Sequence, residues 1–489
     1  MEFPDLDRVG VIDVGSNSVR LVIFDGAARS PAYFFNEKIM CGLGRGMGET
    51  GQLNPQGRAR ALLAMDRFAA LLQSFDVKSL HTVATAAVRD AQDGTSFVAE
   101  VAERTGIALT VASGEEEARL SAQGILLGRP DADGLMCDIG GASMELAEIR
   151  GGRIEACMTS PLGPLVLADT PGGALGIDRV IAQHLMRMRD TFKGPFEKLY
   201  LVGGSCRAIA KLDMARRGYP LGVMHEYSLT QNTFWDVLNW VSATPPDDMA
   251  DIAGSSDRHA LLPTVARVLV KLLELYDPQR AIVSSYGIRE GLLYENMPDA
   301  LRLRDPLIEV CTSMEKSSAR IPGFGAKLAD WVKPIMPQDG DWPRLTEAAA
   351  LLHDVSWRSH PSSRGEECFD TACRGNLGGI DHQGRILLAV ALLHRYRKSA
   401  SIDRYHALSA LLDYDQQRWA RVLGYALRLG ASLAGGDVEI LTRARLNLTA
   451  ERLELWLPLG YRRFGGEVVG RRLDALAGAL GVTGAITLG

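Results

Sequence analysis

The chain has 489 residues, 46% hydrophobic and 23% charged, with a formal net charge of −5, a composition that excludes a disordered chain and predicts two to four globular domains. The longest apolar run, residues 386–393, falls far short of the ~18 residues of a membrane helix, and neither a membrane nor a nucleic-acid partner is expected. Charge is uneven: residues 1–300 carry 29 basic and 38 acidic side chains (−9), and residues 301–489 carry 25 and 21 (+4), so the C-terminal part is either a solvated basic surface or a track for a polyanion.

The N-terminus, MEFPDLDRVGVIDVG, lacks a basic stretch followed by an apolar one, so no signal peptide is expected. Residues 9–14 and 19–24 are short β-branched runs around the turn GSNS, a hairpin signal. Over residues 55–75, Leu62, Leu63, Met65, Phe68, Leu71, Leu72 and Phe75 recur close to a 3.6 period and predict a helix. Strands at 79–85 and 109–112 alternate with helical stretches. Residues 135–138 begin the order again: strand, glycine turn, then a second strand at 143–150. A helix at 178–192, a strand at 199–202, a helix at 262–276, a strand at 280–284 and a helix from Ile288 follow. This alternation predicts α/β layers, and its repetition predicts two similar domains, 1–128 and 129–298. Residues 299–489 read as a third, mostly helical domain, with a strand pair at 438–457 and a last helix near 468–480. Seven cysteines with no CxxC pair point to a reduced, cytoplasmic chain; the closest two are Cys368 and Cys373.

The repeat carries a repeated turn. DVGSNSVRL (13–21) and DIGGASMEL (138–146) follow one pattern 125 residues apart, with the late charge switched from Arg20 to Glu145. A turn of small residues between two strands leaves backbone N–H groups close together, a concavity suited to phosphate oxygens. Gly15, Ser16, Asn17 and Ser18 supply one such loop, and Gly140, Gly141, Ala142 and Ser143 the other. Asp13 and Asp138 repel phosphate, so their expected work is to hold a divalent cation through water or to orient the attacking water; Mg²⁺ suits such oxygen ligands. A third small turn, LVGGSCR (201–207), follows a strand and opens a helix, which makes Gly203, Gly204 and Ser205 another anion site. One DxG turn alone is only a hairpin turn; two matched copies with a later GGS favour phosphate binding.

SGEEEARL (113–120) is an N-terminal helix signal. Ser113 with Glu116 forms a capping box, and Glu115 lies where the helix dipole favours any acid. Glu117 is left over, either as a third dipole-favoured acid or as a general base between the two turns. His353-Asp354 is similar to the metal pair of HD phosphohydrolases, but the nearest upstream histidine, His259, lies in another domain, so the pair reads as a structural remnant.

Taken together these segments resemble the exopolyphosphatase / guanosine pentaphosphate phosphohydrolase family. The matching runs are DVGSNSVRLVI, GLGRGMGETGQLNPQG, ATAAVRDA, SGEEEARL, DIGGASMEL, SPLGPLVL, LVGGSCR and GIREGLL, spread over residues 11–293 in family order. The resemblance implies two duplicated RNase H-like domains of the actin, Hsp70 and sugar kinase type, followed by a mostly helical HD-like domain. It implies Mg²⁺-dependent release of terminal phosphate from inorganic polyphosphate by a cytoplasmic homodimer. It puts the catalytic glutamate on Glu117, the metal- and water-positioning acids on Asp138 and Glu145, and the phosphate loops on Gly15–Ser18 and Gly140–Ser143. It puts a charge-offsetting arginine on Arg89. Ala142 stands where a third glycine is common, and Met144 where a Thr is common; neither departure touches Glu117, Asp138 or Glu145.

Two other activities compete: hydrolysis of guanosine pentaphosphate by the same machinery, and non-catalytic sensing of polyphosphate or an alarmone. A kinase of the same fold fits less well, because a water-activating glutamate suits hydrolysis. HRYRK (394–398) is either a solvated helix end with His394 in the core, or a grip on the polyphosphate chain behind the residue being cut.

Overall fold

A computed structural model describes residues 7–26, 28–253, 259–397 and 403–489. Its contacts divide the chain into two compact units, Met1–Tyr219 with Val223–Arg304, and Asp305–Gly489 with Pro220–Gly222.

The first unit holds two sheets. Strands β1 (Val9–Val14), β2 (Ser18–Phe24), β3 (Tyr33–Met40) and β4 (Ser79–Ala84) form one, in the order β3-β2-β1-β4. Strands β5 (Gly134–Ile139), β6 (Met144–Arg150), β7 (Arg153–Ser160), β8 (Lys198–Val202), β9 (Tyr227–Thr230) and β10 (Arg280–Val283) form the other, in the order β7-β6-β5-β8-β10-β9. The order β3-β2-β1-β4 thus recurs as β7-β6-β5-β8, each time with two antiparallel pairs and one parallel pair. This is the duplicated α/β architecture that the repeated turn predicts.

Central strands such as β1, VGVIDV, are buried on both faces, because helices cover the sheets. The helix Pro55–Ser74 starts where Asn54 accepts from Gly57 N–H and Pro55 occupies the first position. It buries Leu62, Met65, Phe68 and Leu72 against Ile12, Val14 and Leu21. Leu63, which the 3.6 period places on the apolar stripe, is instead 65% exposed.

Strands β3, β7 and β9 are not among the elements that the sequence pattern predicts. β3 and β7 are edge strands with alternating, half-exposed faces, so they lack the apolar runs by which the buried strands show themselves. Residues 109–112 form only an isolated bridge, Ala84 to Val111, rather than a strand. The short helix Asp299–Arg302 stays with the first unit, since Arg302 donates to Tyr294 O at 3.0 Å, which puts the break after Arg304 rather than before 299.

The second unit is mostly helical and ends in a sheet of β11 (Arg445–Leu448), β12 (Arg452–Leu457) and β13 (Thr483–Leu488). The expected strand pair begins later than residue 438: Val438–Arg443 is a helix, started by Asp437 accepting from Glu439 N–H. Strand β13 pairs parallel to β12, the helix Glu467–Leu480 making the crossover.

The structure bears on two sequence features of this unit. His353 is 2% exposed, with Nδ1 bonded to Ala350 O at 2.7 Å, and Asp354 pairs with Arg320 at 3.2 Å, so the HD pair is engaged by protein groups. HRYRK is not one exposed run of cations. His394 is buried, Arg397 pairs with Glu366 at 2.9 Å, and Lys398 lies outside the described residues. No cysteine forms a disulfide among the described residues, and no helix there is long and apolar enough to cross a membrane.

Candidate functional site

The two repeated turns are built alike. Gly15 N–H donates to Ser18 O at 3.0 Å, and Gly140 N–H donates to Ser143 O at 3.0 Å. Each turn joins an antiparallel pair, so the strand register decides what stands beside each aspartate. Asp13 is paired with Arg20, and Asp138 with Glu145. Directly paired residues share a sheet face, so one turn sets an acid beside a cation and the other sets two acids side by side.

Both turns line one cleft of about 230 Å³, the volume of on the order of seven waters. Every expected phosphate-loop residue lines it: Gly15, Ser16, Asn17 and Ser18; Gly140, Gly141, Ala142 and Ser143; and Gly203, Gly204 and Ser205. Gly203 opens the helix Gly203–Arg216 at φ +90°, and a Cβ there would lie 2.5 Å from Asp138 Oδ1, so glycine is what lets this helix start approach the aspartate.

The acids converge on the same space. Asp13, Glu117, Asp138 and Glu145 all line the cleft. The helix Gly114–Gly128 begins with the expected capping box: Glu116 N–H donates to Ser113 Oγ at 3.2 Å, and Ser113 N–H donates to Glu116 Oε2 at 2.8 Å. That bond to the Ser113 backbone holds Glu116 below the usual carboxylate range. Glu115 and Glu116 are exposed, whereas Glu117 is 7% exposed and faces inward. One turn later on the same helix, Ser121 Oγ donates to Asp138 Oδ2 at 2.8 Å. Thr159 Oγ1, on β7, donates to Glu145 Oε1 at 3.0 Å. Gly114 permits that packing, since a Cβ there would lie 2.1 Å from Thr159 Cγ2.

Burial pushes Glu117 up to about 7; Arg89 opposes this, and Asp138 and Asp13 add to it. Burial also raises Asp13 and Asp138, and it raises Glu145 well above the usual range, with Glu117 and Asp138 adding to that rise. Burial out of bulk water disfavours the charged form of all four carboxyls.

Arg89 stands elsewhere than the resemblance implied. It does not line the cleft. Its Nη1 donates to Glu117 and to Ala112 O at 3.1 Å, and its Nε pairs with Asp90 at 3.0 Å. These bonds occupy Nη1 and Nε and fix Glu117.

Four cations line the cleft that sequence reasoning does not assign: Arg20, Lys38, Arg207 and Arg289. Arg20 donates to Asn36 Oδ1 at 2.7 Å, and burial followed by the charge of Arg289 lowers it to about 10. Arg289 is 8% exposed, and its Nε has no hydrogen-bond partner among the described residues. Its signal lies in GIREGLL, a segment whose residues carry no separate assignment in the sequence. Lys38 sits on β3, beside Arg20 in register, and is out of reach of a pattern that does not reveal β3.

Among the described residues no group of three His, Cys, Asp or Glu is poised to hold a metal. Asp138 and Glu145 supply the carboxylate oxygens that suit Mg²⁺, which is commonly bound by one or two carboxylates with waters and substrate phosphates.

Comparison with known proteins gives the family. The model of the Ppx/GppA phosphatase family matches residues 22–300, and that of the exopolyphosphatase C-terminal region matches residues 316–486. Exopolyphosphatase 1 of Mycobacterium tuberculosis is 25% identical over 306 residues, covering 59% of this chain and 88% of its own. A guanosine-5'-triphosphate,3'-diphosphate pyrophosphatase of Aliivibrio fischeri is 25% identical over 445 residues, covering 86% of each chain. Among solved structures, an exopolyphosphatase from Cytophaga hutchinsonii superposes with a TM-score of 0.53 at 24% identity, over 59% of this chain and 97% of that one.

Proposed function

The chain belongs to the Ppx/GppA phosphatase family, and from that premise we propose that it releases terminal orthophosphate from inorganic polyphosphate by Mg²⁺-dependent hydrolysis. The observation that carries this reading is the placement of Glu117: buried, fixed by Arg89, pushed up to about 7, and in one cleft with both small-residue turns. A carboxylate that takes up a proton near neutrality is matched to the work of a general base.

Glu117 accepts a proton from water as the water oxygen bonds to the terminal phosphorus and the bridging P–O bond breaks. The displaced electron pair leaves on the shortened chain. The backbone N–H groups of Ser16, Asn17, Gly141 and Ala142 face the phosphate oxygens, while Arg20, Arg207 and Arg289 offset their charge. Asp138 and Glu145, oriented by Ser121 and Thr159, would hold the cation. Mg²⁺, when bound, supplies charge neutralisation to the phosphoryl group. Arg89 is a positioning residue, acting through Glu117.

A second reading, hydrolysis of guanosine pentaphosphate, is favoured by one observation: the relative of that type aligns across 86% of this chain, spanning both units, against 59% for the mycobacterial exopolyphosphatase. Phosphate release from long-chain polyphosphate and from guanosine pentaphosphate, each with and without Mg²⁺, separates the two. The polyphosphate reading expects faster, Mg²⁺-dependent release from polyphosphate. Preference for the nucleotide would replace it, and release from neither would remove both.

A further inference from the structure

The helical unit gathers cations that the cleft does not use. The helix His382–Tyr396 ends in a turn that presses on Gly424 of the helix Tyr414–Ala434. A Cβ on Gly424 would lie 2.4 Å from Ala391 O and 3.1 Å from Arg395 N. Arg428 follows one turn later on the same face, which brings it beside Arg395. The helix Glu467–Leu480 packs on the helix Tyr414–Ala434, and Arg418 near the start of one donates to Leu480 O at the end of the other, at 3.3 Å. The two therefore run antiparallel. Counting ~15 Å along each from that contact brings Arg428 level with the turn that carries Arg472.

Arg395, Arg428 and Arg472 thus converge from three helices. Each has a nitrogen shut off from solvent with no hydrogen-bond partner: Arg395 Nε, Arg428 Nη1 and Arg472 Nε. None of the three forms an ion pair among the described residues. They sense one another: burial, then Arg472 and Arg395, lowers Arg428 to about 10, and burial, then Arg471 and Arg395, lowers Arg472. His353 is affected by the same field, pushed down to about 3 by burial and by Arg395. At the HD pair the neighbouring cations are Arg320, which pairs with Asp354 at 3.2 Å, and Arg395, which has no such partner among the described residues. Buried N–H donors without acceptors, on three like charges held close together, are stabilised when an oxyanion binds them. The planar fork of arginine matches two oxygens of a tetrahedral phosphate group.

We propose that Arg395, Arg428 and Arg472 form a second anion site, within the helical unit, for a phosphate group: free orthophosphate or the end of an oligophosphate. The proposal does not rest on what the cleft hydrolyses.

The test is equilibrium dialysis of the full chain at low ionic strength with inorganic phosphate, and with tripolyphosphate in a Glu117→Gln background. Wild type should bind one more phosphate per chain than Arg428→Met/Arg472→Met. Equal stoichiometry in the two would overturn the site. Orthophosphate filling the extra site at least as tightly as tripolyphosphate identifies a free-phosphate site; tripolyphosphate binding tenfold tighter identifies an oligophosphate site. A measurement without variants guards against misfolding. Phosphate should slow phenylglyoxal modification of Arg395, Arg428 and Arg472 severalfold, read peptide by peptide, while the exposed Arg471 reacts at an unchanged rate. Unchanged rates at all four would refute the proposal.

Discussion

In the first turn Asp13 faces Arg20 across the β1–β2 pair; in the second, Asp138 faces Glu145 across β5–β6. Strand order, register offset and the turn hydrogen bond are otherwise the same in the two halves. A single position in a duplicated motif thus divides the labour. On the proposed mechanism the first copy would bring a cation to a polyanionic substrate, and the second would collect the acids for a metal. Glu117 belongs to neither copy. It comes from the helix between them, whose next turn holds Asp138 through Ser121.

The largest expected effect comes from that third element. Glu117→Gln should retain polyphosphate binding and lose kcat by roughly 10²–10⁴, the usual contribution of a general base. The same variant should be the more stable one above neutrality. The folded-state carboxyl lies near 7, above its ordinary 4.5, so the native state binds the proton more tightly than the unfolded chain does. Wild-type stability therefore falls as pH rises from about 4.5 to about 7, and the neutral variant lacks that slope. Melting curves at pH 5 and pH 8 check the sign: the Tm advantage of Glu117→Gln should be larger at pH 8.

The comparison of the turns sharpens next. Asp138→Asn or Glu145→Gln should raise the Mg²⁺ concentration for half-maximal rate by at least about tenfold, since even partners one shell further from a metal carry 10–100-fold in affinity. Arg20→Gln should leave that Mg²⁺ profile alone and raise KM, by roughly 10-fold for a charge-assisted hydrogen bond. A Mg²⁺ shift in Arg20→Gln, or none in either acid variant, would dissolve the division of labour between the turns.

A smaller effect tests Arg89. Its charge opposes the rise of the Glu117 carboxyl, so Arg89→Met should move the acid limb of the kcat profile to higher pH. An unchanged limb would return Arg89 to a purely structural part. Smallest of all, Glu116→Gln should alter kcat little, because glutamine also completes a capping box.

Much of this site is legible in the sequence because its chemistry is local. A capping box accounts for Glu116 and the helix dipole for Glu115, so the residue order leaves Glu117 as the acid open to a catalytic reading. The paired turns announce themselves by a repeated nine-residue pattern. What stays hidden depends on strand pairing across the sheet. The meaning of Arg20 comes from its register with Asp13, and Thr159 matters because β7, an edge strand with no strong apolar run, lies beside Glu145. Lys38 is lost with β3 for the same reason. The resemblance assigns Arg89 a charge-offsetting role, but the fold points its guanidinium at Glu117, Asp90 and Ala112 O. The basic tract at 394–398 divides because a helix places neighbouring residues on different faces: His394 goes to the core, as the solvated-helix-end reading allows, Arg397 to a part-exposed ion pair and Arg395 toward Arg428, while Lys398 lies outside the described residues.

The central claim, that Glu117 is the base that activates water, is tested most directly by single-turnover phosphate release from polyphosphate across pH 5–9 at saturating Mg²⁺, in wild type and Glu117→Gln. The wild-type rate should climb about tenfold per pH unit at the acid end, bend near 7 and level off above, as the Glu117 carboxyl loses its proton. Glu117→Gln should give a low profile without that bend. A bend near 7 that survives in Glu117→Gln, or a rate close to wild type, would contradict the account.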